Sequence, residues 1–197
     1  MDASGFQDPV DGRRYVIYKV DGNSLGGGGG CGNGNGQFKT PLLLQEVSGD
    51  DGVTKVGEPV EVLDRDAGGG DGALVEAPSL VYSERGGVDG GGVYVLFFSS
   101  HCFNGPDYDV KYATASSVTG PYTRGKGGGV LLRSGEYGGT RLNSPGGATV
   151  EEGGRRMVFH ADERPADAGV RQMWAAEIEV VGAEVRISEE VQEVSVE

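Results

Sequence analysis

One pattern of short β-rich runs occurs three times along this chain. Each set opens on a brief run, carries a longer aromatic or β-branched one, adds a third, and fades into a weak fourth. Arg14–Lys19, Val93–Ser99 and Arg156–His160 are counterparts, and so are Pro41–Val47, Val110–Ala115 and Gln172–Ile178. Shorter runs at Val60–Leu63, Ser79–Tyr82, Val130–Leu132, Ala148–Val150 and Val185–Ser188 fill the pattern. Gly, Asp and Pro bracket them, and helical periodicity is almost absent, so the runs read as strands. Sets of four strands at this period are the signature of propeller blades. The chain is therefore expected to be all-β, one β-propeller domain with blades at approximately 1–71, 72–140 and 141–197. Propellers close with roughly 4 to 8 blades, so three blades are expected to form an incomplete ring. Two radial faces would stay open, near Tyr15, Ile17 and Leu43 on one side and Met157, Phe159 and Trp174 on the other. Open apolar faces favour self-association.

Composition enters through glycine and charge. Gly supplies 38 of 197 residues, much of it in tracts at Gly26–Gly30, Gly68–Gly70, Gly90–Gly92 and Gly127–Gly129. The tracts lack a three-residue period and fall between apolar runs, so they read as loop insertions. A net charge of −13 argues against nucleic acid and against anionic membrane surfaces as partners. No run of about 18 apolar residues exists to form a membrane-crossing helix. Residues Met1–Gly5 lack the basic start and apolar stretch of a secretion signal. The two cysteines, Cys31 and Cys102, are either free thiols or one disulfide, which would need an oxidising compartment. Both fall in loops after equivalent strands of neighbouring blades, so a bridge is expected.

The stretch Val75-Glu76-Ala77-Pro78-Ser79-Leu80 concentrates the chemistry. A carboxylate at the start of a buried strand costs free energy unless it is paired, lines a cleft or acts as acid or base. An exposed Glu at a loop–strand junction is the plainer alternative. The repeat bears on the choice. Asp2-Ala3-Ser4-Gly5-Phe6, Glu76-Ala77-Pro78-Ser79-Leu80 and Ser144-Pro145-Gly146-Gly147-Ala148 open the three blades at equivalent places. Innermost strands ring a propeller's channel, so Asp2 and Glu76 are expected on one rim. Two acids facing one pocket repel and raise each other's pKa, which suits a general acid.

These residues resemble glycoside hydrolase family 43. Asp2–Asp8 with Asp11–Val16 is similar to its Ile-Asp-Pro/Ala…Phe…Asp…Asp-Gly…Tyr pattern, and Val75–Pro78 to its Glu-Gly/Ala-Pro motif. Ser116–Tyr122 resembles its Ser…Gly-Pro-Tyr/Trp turn, and Arg156–His160 its strand ending in a central His. Tyr18–Asn23 and Phe98–Phe103 resemble fungal members. Ser144-Pro145-Gly146-Gly147 departs, standing where many members have Gly-Pro-Gly-His. The resemblance implies a five-bladed propeller of which this chain carries the last three blades. It implies an inverting hydrolase of xylose- and arabinose-containing polysaccharides, of β-xylosidase or α-L-arabinofuranosidase type. Glu76 would be the general acid and Asp2 the carboxylate that orients it and tunes its pKa. The family's basic Asp has no counterpart here, so the chain is expected to be truncated upstream and poorly active.

Lys19, Asn23, His160 and Arg171 are the candidate substrate-binding residues, although Lys19 and Asn23 also suit a solvated turn. No cofactor is expected; the resemblance leaves open water or a metal ion such as calcium at His160, with a satisfied strand-end His as the alternative. Phe103, Tyr108 and Trp174 are candidate stacking platforms, with core packing the alternative for Trp174. Asp8 and Asp11 fit Asx turns. The resemblance implies a carbohydrate partner and an extracellular location. An inactive carbohydrate-binding fragment and a protein-interaction propeller are the competing functions.

Overall fold

In a computed structural model the described residues are 1–22, 26–34, 36–66, 68, 70–85, 91–162, 171–188 and 191–194. Among them there is no α-helix, and three antiparallel sheets follow one another along the chain. The first contains β1 (Ser4–Gln7), β2 (Arg14–Lys19), β3 (Leu42–Val47) and β4 (Lys55–Leu63), paired in that order. The second runs β5 (Val75–Ser83), β6 (Val93–Ser100), β7 (Asp109–Ala115) and β8 (Thr123–Arg124), with β9 (Val130–Leu132) also on β7. The third runs β10 (Gly135–Tyr137), β11 (Thr140–Val150), β12 (Arg156–Asp162), β13 (Gln172–Val181) and β14 (Glu184–Ile187), with β15 (Gln192–Glu193) on β13. Sequential up-and-down sheets of this kind are propeller blades.

Side-chain alternation explains how the blades stack. All eight residues of β6 are buried. Its odd-numbered members Val95 and Phe97 join Met157, Phe159 and Trp174 in the core against the third blade. Its even-numbered members Tyr94, Leu96 and Phe98 join Tyr15, Ile17, Leu42 and Leu44 in the core against the first. Successive strand side chains point to opposite faces, so a middle blade must be apolar on both. The flanking blades instead alternate, as the burial of β12 and β13 shows. This corrects the expected open faces, except at partly buried Leu43: Tyr15, Ile17, Met157, Phe159 and Trp174 are buried toward the middle blade. The exposed apolar residues are Val158 and Met173 on the third blade, of opposite parity to Met157, Phe159 and Trp174, and Val56 and Val60 on β4 of the first.

Polar anchors fix the blade junctions. Asp71, 1% exposed, accepts from Lys111 Nζ at 2.8 Å and from Arg124, tying the segment before β5 to β7 and β8. Asp8 accepts from Tyr94 Oη at 2.8 Å and from the Val10 amide at 2.9 Å, while Asp11 accepts from the Arg13 amide at 3.0 Å. Both make the expected Asx turns. Cys31 and Cys102 form a disulfide, with Cα atoms 5.7 Å apart, joining the Gly-rich loop of the first blade to the loop after β6.

Candidate active site

The inner strands β1, β5 and β11 lie side by side, and each is irregular near its start. Asp2, Ala77 and Ser144 have φ of 55°, 49° and 50°, a left-handed conformation that non-glycine residues seldom adopt. The pairing register slips between Glu76 and Ser79 and again between Asn143 and Gly146. Bulges of this kind re-aim side chains. The result is a cleft of about 610 Å³ lined by Asp2, Glu76, Phe103, Tyr108, His160 and Arg171, with Ala77, Asn104, Gly147 and Asp162.

Glu76 is not an exposed junction residue: it is buried, the second residue of β5, and paired opposite Ser99. Both carboxylate oxygens are engaged: Oε2 accepts from Lys19 Nζ at 2.6 Å and Oε1 from Tyr108 Oη at 2.7 Å. Asp2 Oδ2 lies 3.4 Å from the same Lys19 Nζ and accepts from the Ala77 amide at 3.1 Å. Asp2 is thereby tied to the bulge that aims Glu76. The two acids therefore do not face each other bare, since a shared ammonium offsets their repulsion.

Lys19 is no solvated turn residue. It is buried at the end of β2 and also lies 3.7 Å from Asp21. Burial alone would lower its pKa. The hydrogen bond and charge of Glu76, joined by Asp2 and Asp21, outweigh that and hold it above its ordinary value. Burial first, then the charge of Glu76, push the Tyr108 phenol far above its usual range, so it stays a proton donor.

Tyr108 stacks on His160 with centroids 5.9 Å apart. Gly146 and Gly147 make room for this pair. A Cβ at Gly146 would fall 1.9 Å from the Tyr108 ring, and one at Gly147 would fall 2.5 Å from His160 Nε2. Arg171 Nη1 lies 2.6 Å from His160 Nδ1, and Nη2 donates to the Phe103 carbonyl. Burial, then the Arg171 charge, bring His160 down to about 4. This surrounding does not fit calcium, which takes 6 to 8 oxygen ligands. Nδ1 of His160 faces a guanidinium, and the described residues contain no group of three or more His, Cys, Asp or Glu able to hold a metal.

The structure thus brings together Asp2, Lys19, Glu76, His160 and Arg171; Asn23 lies outside the described residues. Of the candidate platforms, Phe103 is 55% exposed at the cleft, Tyr108 is committed to Glu76, and Trp174 is core, donating to the Ala161 carbonyl. Sequence reasoning missed Asp162, which is buried with an unpartnered Oδ1. Its signal was only a charge two residues beyond His160 on the same strand face.

Three antiparallel blades whose inner strands converge on one polar cleft define part of a β-propeller with its site at the channel mouth. Solved structures share this fold. An endo-1,4-β-xylanase from Bacteroides thetaiotaomicron matches with a TM-score of 0.73 at 21% identity, over 100% of this chain and 61% of that one. A thermostable family-43 glycoside hydrolase matches at 0.71 and 21%, over 100% and 60%. An endo-1,5-α-L-arabinanase from Thermotoga petrophila matches at 0.66 and 16%, over 100% and 43%. The three blades of this chain share the propeller fold of these glycoside hydrolases, a family-43 enzyme among them. It spans about three fifths of the length of the first two of these structures. No family model matches the sequence, and comparison with curated protein sequences finds no match.

Proposed function

We propose that the chain carries the acid half of an inverting glycoside hydrolase site acting on xylose- or arabinose-containing polysaccharides. The observation that carries this reading is Glu76, a strand carboxylate aimed into the cleft by a bulge and gripped by Tyr108, Lys19 and, through Ala77, Asp2. As general acid, Glu76 protonates the leaving glycosidic oxygen while the bond to the anomeric carbon breaks. Lys19 and Tyr108 fix its rotamer, and Lys19 couples it to Asp2.

Asp2 acts as an orienting carboxylate rather than as the base. Lys19 Nζ touches both acids, at 2.6 and 3.4 Å, so the two bonded oxygens are no more than about 6 Å apart. Inversion needs roughly 6.5–9.5 Å, with a water rather than an ammonium in between. No residue of this chain is assigned the base. Sugar binding with little turnover is accordingly the second reading, favoured by the same geometry. The Cys31–Cys102 disulfide supports an extracellular, oxidising location.

The test is to assay the chain on aryl β-xylosides and α-L-arabinofuranosides beside calorimetric binding of xylo- and arabino-oligosaccharides. We expect binding with poor or no turnover. Absence of binding would refute the carbohydrate reading. Turnover abolished by Glu76→Gln would confirm the acid and overturn the expected inactivity.

A further inference from the structure

Arg171 differs from the other cation at this site. Lys19 gives its charge to Glu76, Asp2 and Asp21. Arg171 is held just as firmly, but by neutral groups. One nitrogen donates to the Phe103 carbonyl and another meets His160 Nδ1. The guanidinium carbon lies 5.8 Å from the Phe103 ring centroid and 5.4 Å from that of Tyr108. The depressed pKa of His160 keeps that imidazole neutral near pH 7, so it supplies no counter-charge. Among the described residues no carboxylate oxygen lies within 4.0 Å of the guanidinium. A half-buried cation, fixed on a cleft wall with no carboxylate counter-ion among the described residues, attracts an anion from solution. Its planar fork matches a carboxylate.

We propose that the Arg171 end of the cleft receives a sugar bearing a carboxylate, a uronic acid unit in the backbone or a branch of the bound oligosaccharide. This rests on the reading of the cleft as a carbohydrate site and names its substrate class. The placement separates the two functions of the cleft. Glu76 accepts from the Tyr108 hydroxyl, with Lys19 offsetting its charge, while Arg171 lies 5.4 Å from the centroid of the Tyr108 ring. Phe103, more than half exposed beside Arg171, offers an apolar face to the pyranose ring. Asp162 lines the same cleft and opposes an incoming anion, so a direct contact with Arg171 is what the preference requires. More distant acids are screened beyond about 8 Å at physiological salt.

The experiment titrates the full chain with three ligands: a xylo-oligosaccharide carrying one glucuronic acid branch, the methyl ester of that same branch, and the unbranched oligosaccharide. The acid should bind about tenfold tighter than the ester, which corresponds to ~1.4 kcal/mol. The preference should shrink with added salt, vanish in Arg171→Gln and survive in part in Arg171→Lys. Equal binding of acid and ester, or a preference that persists in Arg171→Gln, overturns the uronate inference and leaves the carbohydrate reading standing. Failure of all three ligands to bind overturns both.

Discussion

Replacing Lys19 with Met keeps the aliphatic stem and removes the ammonium on which three carboxylates converge. Glu76, Asp2 and Asp21 lie 2.6, 3.4 and 3.7 Å from Nζ, and the Lys19 side chain is only 6% exposed. Breaking a buried ion pair by removing one partner costs about 3–5 kcal/mol, because the other charge is left uncompensated. Asp2 is one third exposed and water will solvate it in part. The expected loss is therefore about 2–4 kcal/mol near pH 7 after that screening discount. For a chain of this size that lowers Tm by roughly 5–15 °C. Thermal and urea unfolding followed by circular dichroism measure it. A pH arm sharpens the test. In the wild type the pKa of Lys19 is raised on folding, so its contribution is fully present below the ordinary lysine value. It is lost only as pH climbs through the higher folded value. A loss below about 1 kcal/mol, flat with pH, would class the cluster with exposed ion pairs and refute the view that Lys19 organises the site.

Cys102→Ser removes a bridge closing a 71-residue separation and should cost about 4 kcal/mol on the chain-entropy account, read by urea unfolding with and without reductant. His160 should titrate near 4 by imidazole NMR, assigned with His160→Gln. Because its folded pKa is depressed, its contribution to stability is full above the ordinary histidine range and falls as pH drops toward 4; a midpoint near 6.5 would contradict its burial beside Arg171. The exposed pairs Val158 with Met173 and Val56 with Val60 should promote self-association visible by sedimentation velocity, reduced by Val158→Lys with Met173→Glu; a monodisperse monomer at all concentrations would refute it.

The blades were legible because a strand needs little context: a β-rich run bounded by Gly, Asp or Pro declares itself, and three repetitions declare the blade. Glu76 was legible through its place in that repeat. The grip on it was not. Lys19 and Glu76 are 57 residues apart, and only the packing of β2 against β5 makes them neighbours. The left-handed Ala77 was hidden as well, since alanine carries no signal for a conformation that tertiary structure imposes. Strands of two or three residues, β8, β10 and β15, are too short to show any period.

The misplaced open faces have an instructive cause. Aromatic and large apolar residues were expected outward on the flanking blades because those blades end the stack. Yet β12 carries Met157 and Phe159 on one parity and Arg156 and Val158 on the other, and the burial follows the larger apolar side chains inward. In β6 there is no weaker parity, and every residue from Val93 to Ser100 is buried. Continuous against alternating apolarity therefore separates a blade with two neighbours from a blade showing one face to solvent. The same logic reaches the site. Glu76 sits on the blade covered on both sides, where a carboxylate must be partnered. Asp2, on the flanking blade, stays a third exposed and is free to couple through Lys19. Position in the stack, as much as residue type, divides the proposed acid from the residue proposed to orient it.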